Sequence, residues 1–227
     1  MDGHTEMSTK TRTSMRDKAY QNFSDLLLNS RIQPGQFLTQ KELVEITDMS
    51  LSTVRELIPR LEADGLIRAI PQRGLQVTHI DLNLIKNAFE LRLILEKRAI
   101  AHFTEFAEQA LIERLLDEHQ TVLAAAENGA DKSLLEKAQL TDWEFHDTII
   151  DFLDNEIISK IYRVNSIKIR LIISEKTRIS PFSLTRVFSE HLKILNAVKA
   201  RDVQAAEVAL EEHILSAKKH SFETSFR

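Results

Sequence analysis

The stretch from Gln40 to Gly74 reads QKELVEITDMSLSTVRELIPRLEADGLIRAIPQRG. Leu43 and Ile46 give its first part a short apolar face at helical spacing, and a second apolar stripe runs from Val54 to Leu61. A polar turn separates the two, and short β-prone runs flank residues 71–74, which is the pattern of a hairpin. The order of helix, turn, helix and hairpin predicts a winged helix-turn-helix.

The residues at the helix ends support this prediction. Thr39 and Glu42 have the spacing of a capping box at the start of the first helix. Ser50 or Ser52 can cap the second helix. Pro59 lies within the second apolar stripe and predicts a kink or an early distortion there, because proline lacks the N–H that a helix interior uses.

The chain is predicted to divide near residue 80. Residues 1–15 form a polar, disordered tail, residues 16–80 the winged helix with its small β-hairpin wing, and residues 81–223 an all-α helical bundle that Asp81 opens as an N-cap. The fold class is therefore mainly α. Helices are expected near residues 83–105, 108–127, 132–153, 155–177, 185–200 and 203–222. Breaks are expected at Asn128-Gly129, Asp154-Asn155, Ser180-Pro181 and Arg201-Asp202.

The composition excludes several classes of protein. The 227 residues contain no cysteine, which excludes disulfides and thiolate metal sites. The first 15 residues lack the apolar region that a signal peptide has, and no apolar run reaches the roughly 18 residues that a membrane span needs, so a cytoplasmic location is expected. The net charge is −4, and Lys plus Arg equal Asp plus Glu over the first 80 residues. A nucleic-acid hypothesis must therefore depend on where the charges lie.

A helix-turn-helix reads DNA with the N-terminal residues of its second helix. Hydroxyls and backbone amides there can hold phosphates, and an arginine can bind guanine or a phosphate. A lysine on the bracing helix and the wing tip add backbone contacts. The predicted DNA-binding residues are Lys41, Ser50, Ser52, Thr53, Arg55, Arg73 and Gly74, where the glycine lets the backbone approach the minor groove. The alternative is a small helical packing unit closed by a hairpin.

A second group of residues has the composition of a metal site. Asp142 and His146 are four residues apart and share a helix face with apolar side chains, while His191 and His213 lie on the apolar faces of later helices. One carboxylate and three imidazoles suit a divalent transition metal such as Zn²⁺, Ni²⁺ or Mn²⁺. The alternative is that each histidine is satisfied singly in the core. The remaining histidines are predicted to be surface or packing residues: His4, His79, His102, His119 and His220.

The residues around the first stretch resemble the winged helix of GntR-type bacterial transcription regulators. The similarity covers about residues 18–80 and rests on RIQPG, LTQKEL, SLSTVREL, RLEADGLI and PQRG. In that family an arginine that contacts DNA commonly follows the first serine, where this chain has Leu51, and proline is frequent where it has Thr53. The resemblance therefore implies the fold and the role of Arg55 more firmly than it implies an operator sequence.

The rest of the chain resembles the FCD effector domain of the same family, over most of residues 83–222. The similarity rests on ELRLILE, on WEFHDTII after Asp142, and on EHLKILNAVKARD and the EEH that contains His213. It implies a divalent metal held by Asp142, His146, His191 and His213 and a small carboxylate effector beside it. Arg92 is the first candidate for the cation that holds this effector, with an ion pair to Glu96 as its alternative, and Arg170 is the second.

These features together predict a ligand-responsive transcription regulator that acts as a repressor. It is expected to bind a palindromic double-stranded DNA operator as a homodimer, because two winged helices read two half-sites. Two alternatives stay open. The Asp/His₃ set can belong to a metal-dependent hydrolase or lyase, although no spare general base is evident. A metal-free sensor of the acyl-CoA-binding type is the other alternative.

Overall fold

The computed structural model describes residues 15–127, 129–176 and 179–223. It divides into two compact units that adjoin in sequence between His79 and Ile80, called here the winged unit and the helical unit. Nearly all of the predicted N-terminal tail lies outside the described residues, and so does Asn128 of one predicted break. Among the described helices, none combines the length and apolarity that a membrane crossing requires.

The winged unit is a small helical layer with a three-stranded sheet. Its elements are α1 (Met15–Leu28), β1 (Phe37–Leu38), α2 (Gln40–Thr47), α3 (Leu51–Ala63), β2 (Ile67–Ile70) and β3 (Gly74–Val77). The sheet order is β1-β3-β2 and both pairings are antiparallel. The predicted helix-turn-helix and wing are confirmed. The sequence did not predict β1, because two residues are too short to show the alternation that marks a strand.

Local capping explains where α2 and α3 begin. Thr39 and Glu42 form the reciprocal capping box that their spacing predicts. Ser50, rather than Ser52, caps α3, and its Oγ accepts from the Thr53 amide at 3.2 Å. The helix continues past Pro59 to Ala63. Gly65 follows with a φ of 68°, a left-handed conformation that glycine adopts without strain.

The helical unit contains six helices within its described residues. They are α4 (Leu82–Phe106), α5 (Gln109–Ala126), α6 (Lys132–Asp151), α7 (Glu156–Lys176), α8 (Pro181–Lys199) and α9 (Val203–Glu223). The break expected at Ser180-Pro181 is confirmed, but the helix expected to start near residue 185 begins at Pro181. Ser180 and Ser183 cap each other across its first turn, and proline fits a position where the backbone N–H is not needed.

The long helix α4 packs against α6, α7, α8 and α9. Most of the core between these helices is apolar and includes Phe89, Phe103, Phe145 and Ile194. Several charged or ionisable side chains are nevertheless buried within the same unit. Such groups are costly to bury unless each has a partner, so the partners of these residues identify the candidate site: Arg92, Glu96, His119, Asp142, His146, His191 and His213.

Candidate metal centre and DNA-reading surface

The helical unit brings the four predicted metal ligands together. Asp142 and His146 lie one turn apart on α6, His191 lies on α8 and His213 on α9. All four are buried, and one ligand atom from each lies within 4.8 Å of the others. The Nε2 atom of His191 is 3.5 Å from Asp142 Oδ1 and 3.2 Å from His213 Nε2, and His146 Nε2 is 4.0 Å from the same carboxylate oxygen.

Two of the three histidines are oriented by a glutamate. His146 Nδ1 lies 2.8 Å from Glu96 Oε2, and His213 Nδ1 lies 2.8 Å from Glu190 Oε2. A carboxylate accepts the Nδ1 proton of each ring and leaves the Nε2 lone pair directed at the cluster. Metal-binding histidines are commonly held in this way. The sequence reasoning gave Glu190 no role and considered Glu96 only as an ion-pair partner.

The third histidine is oriented by another histidine. His191 Nδ1 lies 3.1 Å from Nε2 of His119, and His119 Nδ1 lies 2.7 Å from the Leu115 carbonyl. The sequence predicts only a surface or packing role for His119. The structure places its ring in full burial beside the cluster. The available signal was weak, because a single histidine on the apolar face of α5 is also what a core histidine looks like.

The donor set fits a divalent transition ion. The Nδ1 partners leave Nε2 of His191 and His213 as acceptors that face each other at 3.2 Å. Two lone pairs at this distance repel unless a proton or a cation lies between them. The buried Nε2 atom of His146 has no hydrogen-bond partner within the described part of the chain. A cation with nitrogen and oxygen ligands satisfies all three rings at once.

Burial favours the neutral form of His191 and His213, which is the form that binds metal. Burial and the neighbouring histidines hold the pKa of His191 well below its usual value. Burial likewise lowers the pKa of His213, although its hydrogen bond to Glu190 opposes the shift. Burial also lowers the pKa of His119. At neutral pH the cluster therefore offers lone pairs rather than protons.

Glu96 links the candidate ligand His146 to two residues outside the cluster. Its Oε1 accepts from Arg92 Nε and from the Tyr162 hydroxyl, both at 2.8 Å, while its Oε2 faces His146. Burial alone would raise the pKa of Glu96, but Arg92, His146 and Tyr162 together lower it to about 2. The alternative that the sequence left open for Arg92, an ion pair with Glu96, is therefore present in the structure.

A small cavity of about 10 Å³ adjoins the cluster. Its lining combines two candidate ligands, Asp142 and His146, with Arg92, Arg170 and Trp143. The predicted effector residues thus line the same cavity, even though Arg92 is already paired. Pockets that hold drug-sized molecules are far larger. A cavity of this size holds about one water molecule, so even a small ligand requires the lining side chains to move.

Arg170 is partly engaged within the protein. Its Nη2 donates to Asp147 Oδ2 at 2.6 Å, and its guanidinium carbon lies 4.8 Å from the centre of the Trp143 ring. The Nε atom of Arg170 and the Nε1 atom of Trp143 are buried and have no hydrogen-bond partner among the described residues. The cavity is therefore lined with donors that lack acceptors.

The predicted DNA-binding residues of α2 and α3 lie on one accessible surface. Lys41, Ser52 and Arg55 are exposed, and Thr53 is half-buried. Lys41 lies 3.8 Å from Glu45, an exposed pair that adds little stability. The hydroxyl of Ser50 caps α3 and also bonds to the hydroxyls of Ser52 and Thr53, both at 2.8 Å. This places three hydroxyls and the helix N-terminus side by side, as phosphate binding requires.

The wing residues have structural reasons for their identity. Gly74 has a φ of 93°, and a Cβ added there would lie 2.7 Å from the Leu38 carbonyl oxygen. The glycine is needed for the close approach of β1 and β3, a structural requirement that stands beside its predicted role at a DNA groove. Arg73 stacks its guanidinium over the Phe37 ring at 4.1 Å and stays exposed at the wing tip.

Models of two protein families match the chain. The model of the bacterial regulatory proteins of the gntR family matches residues 15–77, and the FCD domain model matches residues 87–216, which is more than half of the chain. The chain belongs to the GntR family and carries an FCD domain. It is therefore a DNA-binding transcription regulator, and each unit of the fold corresponds to one of the two matched domains.

Known relatives support the same assignment. The uncharacterized HTH-type transcriptional regulator YdhC of Bacillus subtilis is 23% identical over 90% of this chain and 88% of its own length. The HTH-type transcriptional repressor RspR of Escherichia coli K12 is 27% identical over 83% of this chain and 80% of its own length. The solved structure of E. coli McbR/YncC has a TM-score of 0.76 and 20% identity, and the match covers 93% of this chain and 99% of that one.

Proposed function

We propose that this GntR-family protein is a repressor that senses a small carboxylate at a divalent metal ion. The metal is held by Asp142, His146, His191 and His213. The protein acts in the cytoplasm as a homodimer and binds a palindromic operator with Lys41, Ser50, Ser52, Thr53, Arg55, Arg73 and Gly74. That RspR, one of its relatives, is named a repressor supports the direction of regulation.

The observation that carries the metal proposal is the convergence of three Nε2 atoms on one carboxylate. Each ring has its Nδ1 atom held by a separate partner, so all three lone pairs face Asp142. Histidines that are satisfied singly in a core would not leave His146 Nε2 without a partner among the described residues. The same argument disfavours a metal-free sensor, because nothing in the cluster other than a cation or added protons relieves the facing lone pairs.

The cavity beside the cluster supports a carboxylate effector. A carboxylate offers acceptors only, and two lining residues carry donors, Arg170 Nε and Trp143 Nε1, that have no partner within the described parts of the chain. Arg92 adds positive charge, and a bound metal leaves a coordination position open for a carboxylate oxygen. The effector would bias one of two dimer arrangements and so change operator affinity, as allosteric coupling requires.

We propose that the site is not catalytic. A hydrolase or lyase of this type needs a free general base within reach of the metal. The nearby carboxylates are engaged: Glu96 and Glu190 hold histidines, and Asp147 pairs with Arg163 and Arg170. A regulatory role is consistent with these engaged carboxylates.

Exposed apolar residues support the proposed homodimer. Ile94 on α4 and Ile157 and Ile161 on α7 are 62%, 71% and 47% exposed. Exposed apolar surface of this kind commonly marks a protein interface. Light scattering coupled to size exclusion should give twice the chain mass. A protein that stays monomeric at micromolar concentration would contradict the dimer.

The test of the whole proposal uses tag-free protein. Metal analysis should give about one ion per chain, as the single cluster predicts. An electrophoretic shift assay on the protein's own promoter should show salt-sensitive, sequence-selective binding. A panel of small carboxylates is then screened by thermal shift with and without chelator. The effector should stabilise only the metal-loaded protein. Equal stabilisation of both forms would place the effector away from the metal.

A further inference from the structure

His119 is a buried imidazole outside the proposed ligand set. It lies on α5 with none of its surface exposed. Its ring centre is 5.4 Å from that of Phe145, with the rings nearly perpendicular, and 5.3 Å from that of Phe188. Both ring nitrogens are engaged, one by the Leu115 carbonyl and one by His191. An apolar side chain of similar size would fill this space without any cost of burying polar nitrogens, so the imidazole itself needs an explanation.

The Leu115 carbonyl determines the direction of the hydrogen bonds that run through His119 to His191. The Leu115 carbonyl only accepts, so Nδ1 of His119 carries a proton and donates over 2.7 Å. In a neutral ring, Nε2 of His119 is then an acceptor. The 3.1 Å contact to His191 therefore requires a proton on His191 Nδ1. The Nε2 atom of His191 is left without a proton and faces Asp142 and His213.

We propose that His119 is a positioning residue of the metal centre. It selects the tautomer of His191 that has a free Nε2 lone pair, and it fixes the orientation of that ring toward the ion. This proposal rests on the proposed metal role of the cluster. It adds a residue from α5, a helix that contributes no ligand, so that α5 joins α4, which supplies Glu96, in orienting ligands held on other helices.

The partner of His191 differs in charge from the partners of the other two rings. Glu96 and Glu190 are anions that hold His146 and His213. A third carboxylate at the place of His119 would add negative charge in a fully buried position, where isolated charge is costly. A neutral imidazole performs the same orienting task without that charge. This accounts for a histidine at a position where the two other rings have a glutamate.

The test compares two substitutions of His119. In His119→Gln the side-chain amide oxygen can accept from His191 Nδ1, whereas His119→Phe keeps an aromatic ring against Phe145 and Phe188 but has no acceptor. His102→Phe is the matched control, because His102 is a half-buried histidine of α4 that contacts only Phe106 and Phe152 by its ring. Affinity for Zn²⁺ and Co²⁺ is measured by competition with a chelator on the purified full-length protein.

His119→Phe should weaken metal affinity by about 10- to 100-fold, as loss of a residue that orients a ligand typically does. It should also change the visible absorption of the Co²⁺-loaded protein, which reports ligand geometry. His119→Gln should regain most of the affinity and the wild-type spectrum, and His102→Phe should alter neither. A purely structural role predicts instead that the unfolding midpoint of the metal-free protein falls while the Co²⁺ spectrum is unchanged.

Wild-type affinity and spectrum in a folded His119→Phe protein would overturn the proposal while leaving the metal site intact. If His119→Phe does not fold, His119→Gln decides through its spectrum and affinity alone, and equal loss in His119→Gln and in an Asn variant would also overturn it. A wild-type protein that takes up neither ion would refute the metal role of the cluster itself, and the positioning role with it.

Discussion

The two units of this protein expose their functional residues to opposite degrees. In the winged unit the side chain of Lys41 is 87% exposed, and Ser52 and Arg55 are also at the surface. In the helical unit the side chain of His191 has no exposed surface and His146 has 4%. The candidate residues of the winged unit face solvent, where DNA can reach them. Those of the helical unit are held by hydrogen bonds to other side chains of the same unit.

This difference determines what each set of residues is expected to do when altered. An exposed side chain such as Arg55 makes no packing contact that folding needs, so its loss should affect DNA binding alone. A buried ligand such as His146 is bonded to Glu96 within the core, so its loss should affect metal binding and stability together. Four experiments, described from the largest expected effect to the smallest, examine this contrast.

Removal of a ligand should have the largest effect. His146→Ala deletes one of three imidazoles, so metal affinity should fall by more than the roughly 10- to 100-fold that an orienting residue contributes. Chelator competition and metal analysis measure this. His102→Ala, an equal truncation away from the cluster, should keep full metal content. Retention of wild-type affinity in His146→Ala would separate this residue from the site.

Acidification should destabilise the metal-free helical unit. The pKa values of His119, His191 and His213 are lowered by burial, whereas in the unfolded chain such rings take up protons near pH 6.5. The stability that their neutral forms contribute is therefore present above pH 6.5 and is lost as the pH falls below it. Urea unfolding of chelator-treated protein between about pH 8 and pH 5 should show a falling midpoint.

Glu96 does not titrate between pH 8 and pH 5, so it does not contribute to the expected change in the unfolding midpoint. The pKa of Glu96 is lowered to about 2, so its contribution is lost only below its unfolded value of 4.5. Within the described residues of the winged unit the one histidine, His79, is exposed. If the winged unit unfolds in a separate transition, the urea midpoint of that transition should not change over this pH range. A midpoint that is constant or rises on acidification would show that the three rings are already protonated in the folded protein.

Loss of Arg55 should weaken DNA binding without touching the metal. Arg55→Ala removes a guanidinium that can bind guanine or a phosphate, so operator binding should weaken by about 1–3 kcal/mol, or roughly 10- to 100-fold. Fluorescence anisotropy with a labelled operator measures this. Metal content and unfolding midpoint should match those of the wild type. A coincident loss of stability would mean that the contrast between the two units does not hold at this position.

The smallest effect is expected at Leu51. This side chain is 44% exposed at the first residue of α3, beside the hydroxyls that can face phosphates. Leu51→Arg should add about one phosphate contact, which steepens the dependence of log affinity on log salt by roughly 0.9. Leu51→Gln serves as the uncharged control. An unchanged salt slope in the arginine variant would place residue 51 away from the DNA backbone.

The sequence predicted the parts of this molecule that depend on local spacing. The capping box at Thr39, the four-residue interval between Asp142 and His146, and the boundary of α4 at Asp81 are all set by neighbours along the chain. The sequence predicted the first residue of a helix less accurately where capping residues precede the apolar stripe. Ser180 and Ser183, for example, start α8 earlier than the apolar stripe alone indicates.

Hydrogen-bond partners that lie far apart in the sequence could not be predicted from local spacing. The contact between His119 and His191 joins residues 72 positions apart, and that between Glu96 and His146 joins residues 50 apart. Nothing in the spacing of either pair records which faces of α4, α5, α6 and α8 meet. The structural requirement for Gly74 was missed for the same reason, because the Leu38 carbonyl that requires it lies on a strand too short to predict.

The placement of the four candidate ligands has a consequence for how the chain matures. They come from α6, α8 and α9, and His213 lies on the last helix. During synthesis His213 is added last, 22 residues after His191. A chain that terminates before residue 213 therefore has an incomplete donor set. Because metal binding contributes directly to folding free energy, such a chain would lose the stabilisation available to the finished one. The cluster would thus discriminate complete chains from truncated ones before either reaches an operator.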